Sequence, residues 1–175
     1  MSSPKREVGK DSYYQKLLDD EMRQQAPNWK SVRQYINMDV LPSPVDRTTG
    51  MAMIHIAAYF GESVVLKWCI DKRKSSIHQT NEFGRTALHM SADANRPECI
   101  SILLENGADV NKTSLGGLTA LHVGCRNNSV QAVSRLLESP DIDLDAETVE
   151  RSVAESLTDN QSIKDSISAC RLNRQ

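Results

Sequence analysis

Three histidines, at positions 55, 89 and 122, recur along this chain at intervals of 34 and 33 residues. A period in that range marks a repeat architecture, in which each unit buries its apolar face against the next because it cannot do so alone. The same frame returns around each of them: Gly50-Met51-Ala52-Met53-Ile54-His55, Gly84-Arg85-Thr86-Ala87-Leu88-His89 and Gly117-Leu118-Thr119-Ala120-Leu121-His122. Six residues after the histidines stand Gly61, Asn95 and Asn128. These residue types enter the left-handed backbone region most readily, as a tight turn between paired helices requires. Thr86 and Thr119 suit helix starts, where a hydroxyl can cap free amides. Second helices are expected near 64–70, 97–104 and 130–137, with Pro97 in a first turn that needs no amide hydrogen. Leu88 and Leu121 then face the neighbouring repeat, Leu103, Leu104, Leu136 and Leu137 fill the core between repeats, and Gly107 stops its helix.

The frame resembles the T-P-L-H-x-A signature of ankyrin repeats, and Asn106-Gly107-Ala108-Asp109-Val110-Asn111 looks like the loop between such repeats. The resemblance covers residues 46–144 and implies an all-α solenoid of stacked antiparallel helix pairs with short hairpin loops. It also implies a structural role for His55, His89 and His122, each imidazole tying a loop to a helix start. The first repeat departs from the pattern. Ala52 stands where the threonine is expected, and Lys74-Ser75-Ser76-Ile77-His78-Gln79 replaces the exit loop. A looser helix start is expected there.

Both flanks read as degenerate capping repeats, because a solenoid must cover its apolar ends. In residues 11–45, Tyr13, Tyr14, Leu17, Leu18 and Met22 recur at helical spacing behind Asp11 and Ser12, and Trp29, Val32 and Ile36 form a second pattern. In residues 145–175, Val149, Val153 and Leu157 predict one helix and Ile163 and Ile167 another, separated by Thr158-Asp159-Asn160. Residues 1–10 are expected to be disordered and 171–175 to fray.

Composition narrows the function. With 21 basic and 23 acidic side chains the formal charge is −2, so the basic footprint of a nucleic-acid binder is missing. Lys72-Arg73-Lys74 reads as a solvated loop. No secretory signal or membrane-length apolar run is present, which predicts a soluble protein of the cytoplasm, the nucleus or both. Cys69, Cys99, Cys125 and Cys170 form no CxxC pair, and the first three fall in apolar helical patterns as reduced core residues. Successive histidines one packed layer apart, about 8–10 Å, cannot share a metal ion. No nucleotide-binding, hydrolase, metalloprotease or kinase signature appears, so neither catalysis nor a cofactor or metal is expected. Ser3-Pro4-Lys5-Arg6 resembles a site for proline-directed kinases, which makes Ser3 a candidate phosphosite.

What remains is a protein-binding surface. The family resemblance places partner contacts at the hairpin tips and on the exposed face of each first helix. By register these are Thr48, Thr49, Met51, Tyr59 and Phe60, then Glu82, Phe83, Arg85, Asp93 and Ala94, then Leu115, Gly116, Leu118, Arg126 and Asn127. Aromatics are 5% of the chain, and both of its phenylalanines fall in this set. Met51, Tyr59, Phe60, Phe83, Arg85, Leu115, Leu118 and Arg126 are therefore the candidate binding residues, since exposed apolar patches mark interaction sites and aromatics with Arg anchor them. The expected role is a non-catalytic adaptor or regulatory subunit whose concave groove holds another protein. Similarity to small all-ankyrin regulators of the embryonic cell cycle implies a protein-kinase partner and restraint of DNA replication. The alternatives are an inhibitor masking a transcription factor, like those of the NF-kappa-B family, and a substrate-recruiting ubiquitin-ligase subunit.

Overall fold

The computed structural model describes residue 20, residues 27–37 and residues 49–174. Within them the chain is all-α. After α1 (Trp29–Asn37) come three antiparallel pairs: α2 (Met53–Phe60) with α3 (Ser63–Lys72), α4 (Ala87–Asp93) with α5 (Pro97–Glu105), and α6 (Ala120–Arg126) with α7 (Val130–Leu137). A short 3₁₀ turn, Ala154–Leu157, and α8 (Gln161–Leu172) follow. The first helices pack in a row, with α4 against both α2 and α6 and the 154–157 turn against α6. The second helices form a row behind them, in the order α3, α5, α7, α8. No helix of the described residues is long and apolar enough to cross a membrane.

Local sequence explains the joints. Gly61, Asn95 and Asn128 adopt φ of 82°, 53° and 55°, the left-handed turn that reverses the chain between paired helices. Gly107 does the same at the end of α5 with φ 89°. Leu88, Leu103, Leu121 and Leu136 are buried between layers, while Leu104 and Leu137 pack half-buried at the edge of that core. The atypical exit loop of the first repeat becomes a 3₁₀ turn, Lys74–His78, and still buries Ile77 at the position that Val110 and Leu144 fill in the next two loops. Cys69, Cys99 and Cys125 are free and buried. Burial pushes the Cys69 and Cys125 thiols up to about 12 and Cys99 to about 11, so all three stay protonated. Lys72, Arg73 and Lys74 lie exposed at the end of α3.

One expectation for the flanks needs correction. Val149, Val153 and Leu157 do not share a helix. Arg151 adopts φ 57°, and residues 147–153 close into a hairpin, with Glu147 bridged to Val153. A left-handed residue in the middle of the proposed helix is incompatible with it. At the end of the described residues Arg171 pairs with Asp145 and Glu155, and Arg174 donates to the carbonyls of Ser139 and Ile142. The second predicted helix is present as α8, capped by Asn160, with Ile163 and Ile167 buried. At the other end Trp29 and Val32 lie on α1 as the pattern predicts, with Val32 fully buried. Tyr13, Tyr14, Leu17, Leu18, Met22, the tail 1–10 and the side chain of Ile36 lie outside the described residues.

Candidate functional site

The histidines set the spacing of the surface. Each is buried near the start of a first helix and uses both ring nitrogens. In the second repeat the Thr86 amide and hydroxyl donate to His89 Nδ1 at 3.2 and 2.9 Å, while Nε2–H donates to the Leu118 carbonyl at 2.8 Å. In the third, Thr119 donates to His122 Nδ1 from the same two groups at 3.2 and 2.7 Å, and Nε2–H reaches the Ser152 carbonyl at 3.2 Å. Leu118 and Ser152 each lie two residues before the next element, α6 and the 154–157 turn. Each histidine therefore fastens its own helix start to the following hairpin. In the first repeat Ala52 supplies no hydroxyl. His55 Nδ1 accepts the Ala52 amide alone, at 3.0 Å, and Nε2–H donates to Gln79 O at 2.9 Å. The looser start thus amounts to one lost hydrogen bond. Acceptance at Nδ1 needs the neutral ring, and burial lowers all three pKa values, that of His89 to about 4.

The hairpin tips are built by recurring local chemistry. Gly50, Gly84 and Gly117 adopt φ of 63°, 71° and 73°, and Arg151 takes the equivalent place in a fourth hairpin. Three residues before the last three of these stand Asn81, Ser114 and Thr148. The Asn81 side-chain oxygen accepts from the Phe83 and Arg85 amides, and the Thr148 hydroxyl oxygen accepts from the Ser152 amide. Backbone bonds then chain the tips together: Glu82 N–H to Thr49 O at 3.0 Å, Leu115 N–H to Phe83 O at 3.0 Å, and Val149 N–H to Gly116 O at 3.3 Å. A Cβ at Gly84 would come within 2.8 Å of the Leu115 nitrogen, so the glycine is required by close approach as well as by φ.

On this frame the candidate residues separate. Phe83 and Leu115 sit at successive tips, 58% and 77% exposed. Tyr59 and Arg126 are exposed at the ends of α2 and α6. Met51 and Leu118 are half-buried beside the tips. Arg85, also half-buried, faces Asp93 at 3.9 Å, and Asn127 bonds to the same Asp93 carboxylate. Phe60 departs from the expected open face. It is half-buried, with its ring 5.7 Å from that of Trp29 on α1 and 5.4 Å from Tyr59. Thr48 and Ser3 lie outside the described residues. Sequence reasoning missed Val149, which is 74% exposed at the fourth tip, next in line after Leu115. The signal was present: the 34-residue step from Gly117 to 151, with Thr148 where Asn81 and Ser114 stand.

This arrangement offers apolar side chains on a stiff frame, with charges that partly neutralise one another. Among the described residues no group of three or more His, Cys, Asp or Glu side chains is placed to hold a metal ion. Comparison with known proteins adds the following. A family model for ankyrin repeats, in three copies, matches residues 42–148. The chain is 38% identical over 58 residues, 33% of its length, to the putative ankyrin repeat protein R96 of Acanthamoeba polyphaga mimivirus. It is 31% identical over 67 residues, 38% of its length, to human BCL-6 corepressor-like protein 1. It is 34% identical over 64 residues, 35% of its length, to the nuclear factor NF-kappa-B p105 subunit of Gallus gallus. These stretches span 6%, 4% and 6% of the three relatives.

Proposed function

The chain belongs to the ankyrin repeat family, whose repeats bind other proteins, and from that premise we propose that it is a non-catalytic adaptor or regulatory subunit holding its partner along the hairpin tips and first helices. The observation that carries this reading is the placement of Phe83 and Leu115 on adjacent, backbone-linked tips, both largely exposed. Isolated exposed apolar residues are ordinary, but a line of them on a rigid frame is what binding surfaces use. Tyr59 and Arg126 extend the surface onto the helices, with residue types that anchor interfaces.

The narrower reading makes the partner a protein-kinase complex that controls the cell cycle and DNA replication. It rests on the resemblance, drawn from the sequence, to ankyrin regulators of the embryonic cell cycle. A second reading is favoured by similarity to a corepressor-like protein and to a nuclear factor subunit. In it the groove masks a transcription factor, and the chain works in the nucleus or holds its target in the cytoplasm.

Affinity purification of the intact chain identifies the candidate, and titration with that protein, once purified, tests the surface. Tyr59→Ala with Arg126→Glu is expected to weaken binding at least tenfold with an unchanged melting temperature. Equal binding by this variant, with loss instead on substituting exposed Val64 of the second-helix row, would move the site to the opposite face and overturn the reading.

A further inference from the structure

We propose that Ser76 is a phosphorylation site for a protein kinase that reads basic residues, and that its phosphate gives the first exit loop the anion which the next two loops carry as an aspartate. The three loops align on a buried apolar residue. Ile77, Val110 and Leu144 each stand seven residues before the left-handed residue of the next hairpin, Gly84, Gly117 or Arg151. The residue just before them is Ser76, Asp109 or Asp143. Both aspartates make the same bond. The Asp109 carboxylate accepts the Asn111 amide at 2.9 Å, and the Asp143 carboxylate accepts the Asp145 amide at 2.9 Å. Each holds its loop by capping the amide two residues on, which a serine hydroxyl does more weakly. Ser76 instead donates to the Cys69 carbonyl in the last turn of α3, at 3.2 Å, and the loop winds into the 3₁₀ turn Lys74–His78. Phosphate on Ser76 would put acceptor oxygens and about −1.5 to −2 of charge at the register position of the aspartates.

The sequence around Ser76 suits the transfer. Arg73 stands three residues before it, Lys74 two before it and Ile77 just after it. Kinases select substrates by such charge patterns, and a basic one matches an acidic substrate groove. Lys72, Arg73 and Lys74 are exposed, and neither Arg73 nor Lys74 is in an ion pair among the described residues. Ser76 is half-buried and Ile77 buried, so the turn must open to be read, and short surface turns do so at little cost. In the transfer the bond from Ser76 Oγ to phosphorus forms as the bond between the β- and γ-phosphates of ATP breaks. ADP leaves, and the hydroxyl proton passes to the kinase's catalytic aspartate.

Two fields then act on the phosphate. The end of α3 presents about half a negative charge and repels it. The basic run offers three cations, with Asp71 as the opposing charge beside them, and its side chains can make charge-assisted bonds to the phosphate oxygens. The cleft that Ile77 and His78 share with the next loop adds Asp109 and Lys112, one charge of each sign. Attraction wins. Modification therefore orders the loop, exchanging the bond to Cys69 for bonds to the His78 amide and the basic run.

The test incubates the intact chain with ATP and the catalytic subunit of cyclic-AMP-dependent protein kinase, and maps the phosphate by mass spectrometry. Incorporation at Ser76 is expected, lost in Ser76→Ala and kept in Ser75→Ala. Arg73→Ala with Lys74→Ala should slow it tenfold or more at an unchanged melting temperature, since both side chains are exposed. The phosphorylated chain should melt about 2 °C or more above the parent at low salt, and the gain should shrink as salt screens it. Ser76→Asp should shift the melt the same way, while Ser76→Ala should lower it through the lost bond to Cys69. No incorporation, or phosphate on Ser75 in place of Ser76, would overturn the site. Equal rates with and without Arg73 and Lys74 would overturn its recognition by the basic run. A chain modified at Ser76 that melts at or below the parent would overturn the ordering of the loop.

Discussion

The second repeat and the fourth are built on the same hairpin by different residues. In the second, Gly84 takes the left-handed position, Thr86 caps α4 and His89 fastens the following hairpin. In the fourth, Arg151 occupies the glycine's place, Val153 the threonine's and Ser156 the histidine's. The hairpin forms nonetheless, and its tip bonds to Gly116 as Leu115 bonds to Phe83. The reason lies in the direction of the histidine tie. His122 holds the fourth hairpin from the third repeat, so the fourth needs no histidine unless a further layer stacks on it. Ser156 instead turns its hydroxyl back to the Val153 carbonyl. What weakens is the helix behind the hairpin. α3, α5 and α7 each begin thirteen residues after their left-handed glycine, whereas α8 begins ten after Arg151, with a 3₁₀ turn replacing the first helix. A repeat unit thus separates into a hairpin positioned by its predecessor and a helix pair stabilised by its own sequence.

The largest test removes a buried side chain from the third repeat, whose α6 packs against α4 on one side and the 154–157 turn on the other. Leu121, 1% exposed, lies between the second repeat and the fourth. Leu121→Ala is expected to cost about 2–5 kcal/mol in a denaturant titration. A loss within about 0.5 kcal/mol, the usual effect at a surface position, would show that the register is wrong.

Acid should loosen the ties themselves. The ordinary histidine value is 6.5, and burial lowers all three in the folded chain, His89 to about 4. The unfolded chain therefore binds more protons between those values. The histidine contribution is fully present above about pH 6.5 and is lost as pH falls toward 4, with His89 accounting for up to about 3 kcal/mol of the change. His89→Gln should flatten the pH dependence of the melting temperature in this window. An unchanged slope would mean that the imidazole is not the coupling element.

A smaller effect compares the two turn residues directly. Gly84→Ala forces a left-handed Cβ against the Leu115 nitrogen and should cost more than the 1–2 kcal/mol of the left-handed conformation alone. Arg151→Gly relieves that conformation and should stabilise the chain by up to about 1 kcal/mol. Thermal melts that moved both in the same direction would break the equivalence of the two hairpins.

The middle of the molecule was legible because its signals reinforce one another. Gly84, Thr86, His89, Asn95, Pro97 and Gly107 each require a different backbone feature, and all fall in one register. The fourth hairpin was hidden because its tie comes from His122, in another repeat. The four-residue spacing of Val149, Val153 and Leu157 also imitates a helix although the three side chains serve a tip, a cap and a turn. Phe60 was misplaced for a related reason. Its register position matches Ala94 and Asn127, but the first repeat has α1 as a neighbour, and nothing within the repeat tells that Trp29 covers it. The tips themselves were half legible: Phe83 and Leu115 follow from register, and Val149 waits on recognising the fourth hairpin.

The most direct test of the account compares two phenylalanines, one on the proposed binding surface and one beneath it. Phe83→Ala and Phe60→Ala would each be melted and titrated with the purified partner. The account predicts that Phe83→Ala melts within about 0.5 kcal/mol of the parent and binds about thirtyfold more weakly, roughly 2 kcal/mol. Phe60→Ala should lose stability through its contact with Trp29, by roughly 1–3 kcal/mol for a partly buried ring, and bind normally while folded. Normal melting and normal binding in Phe83→Ala would contradict the account, because the hairpin tips would then not be where this protein meets its partner.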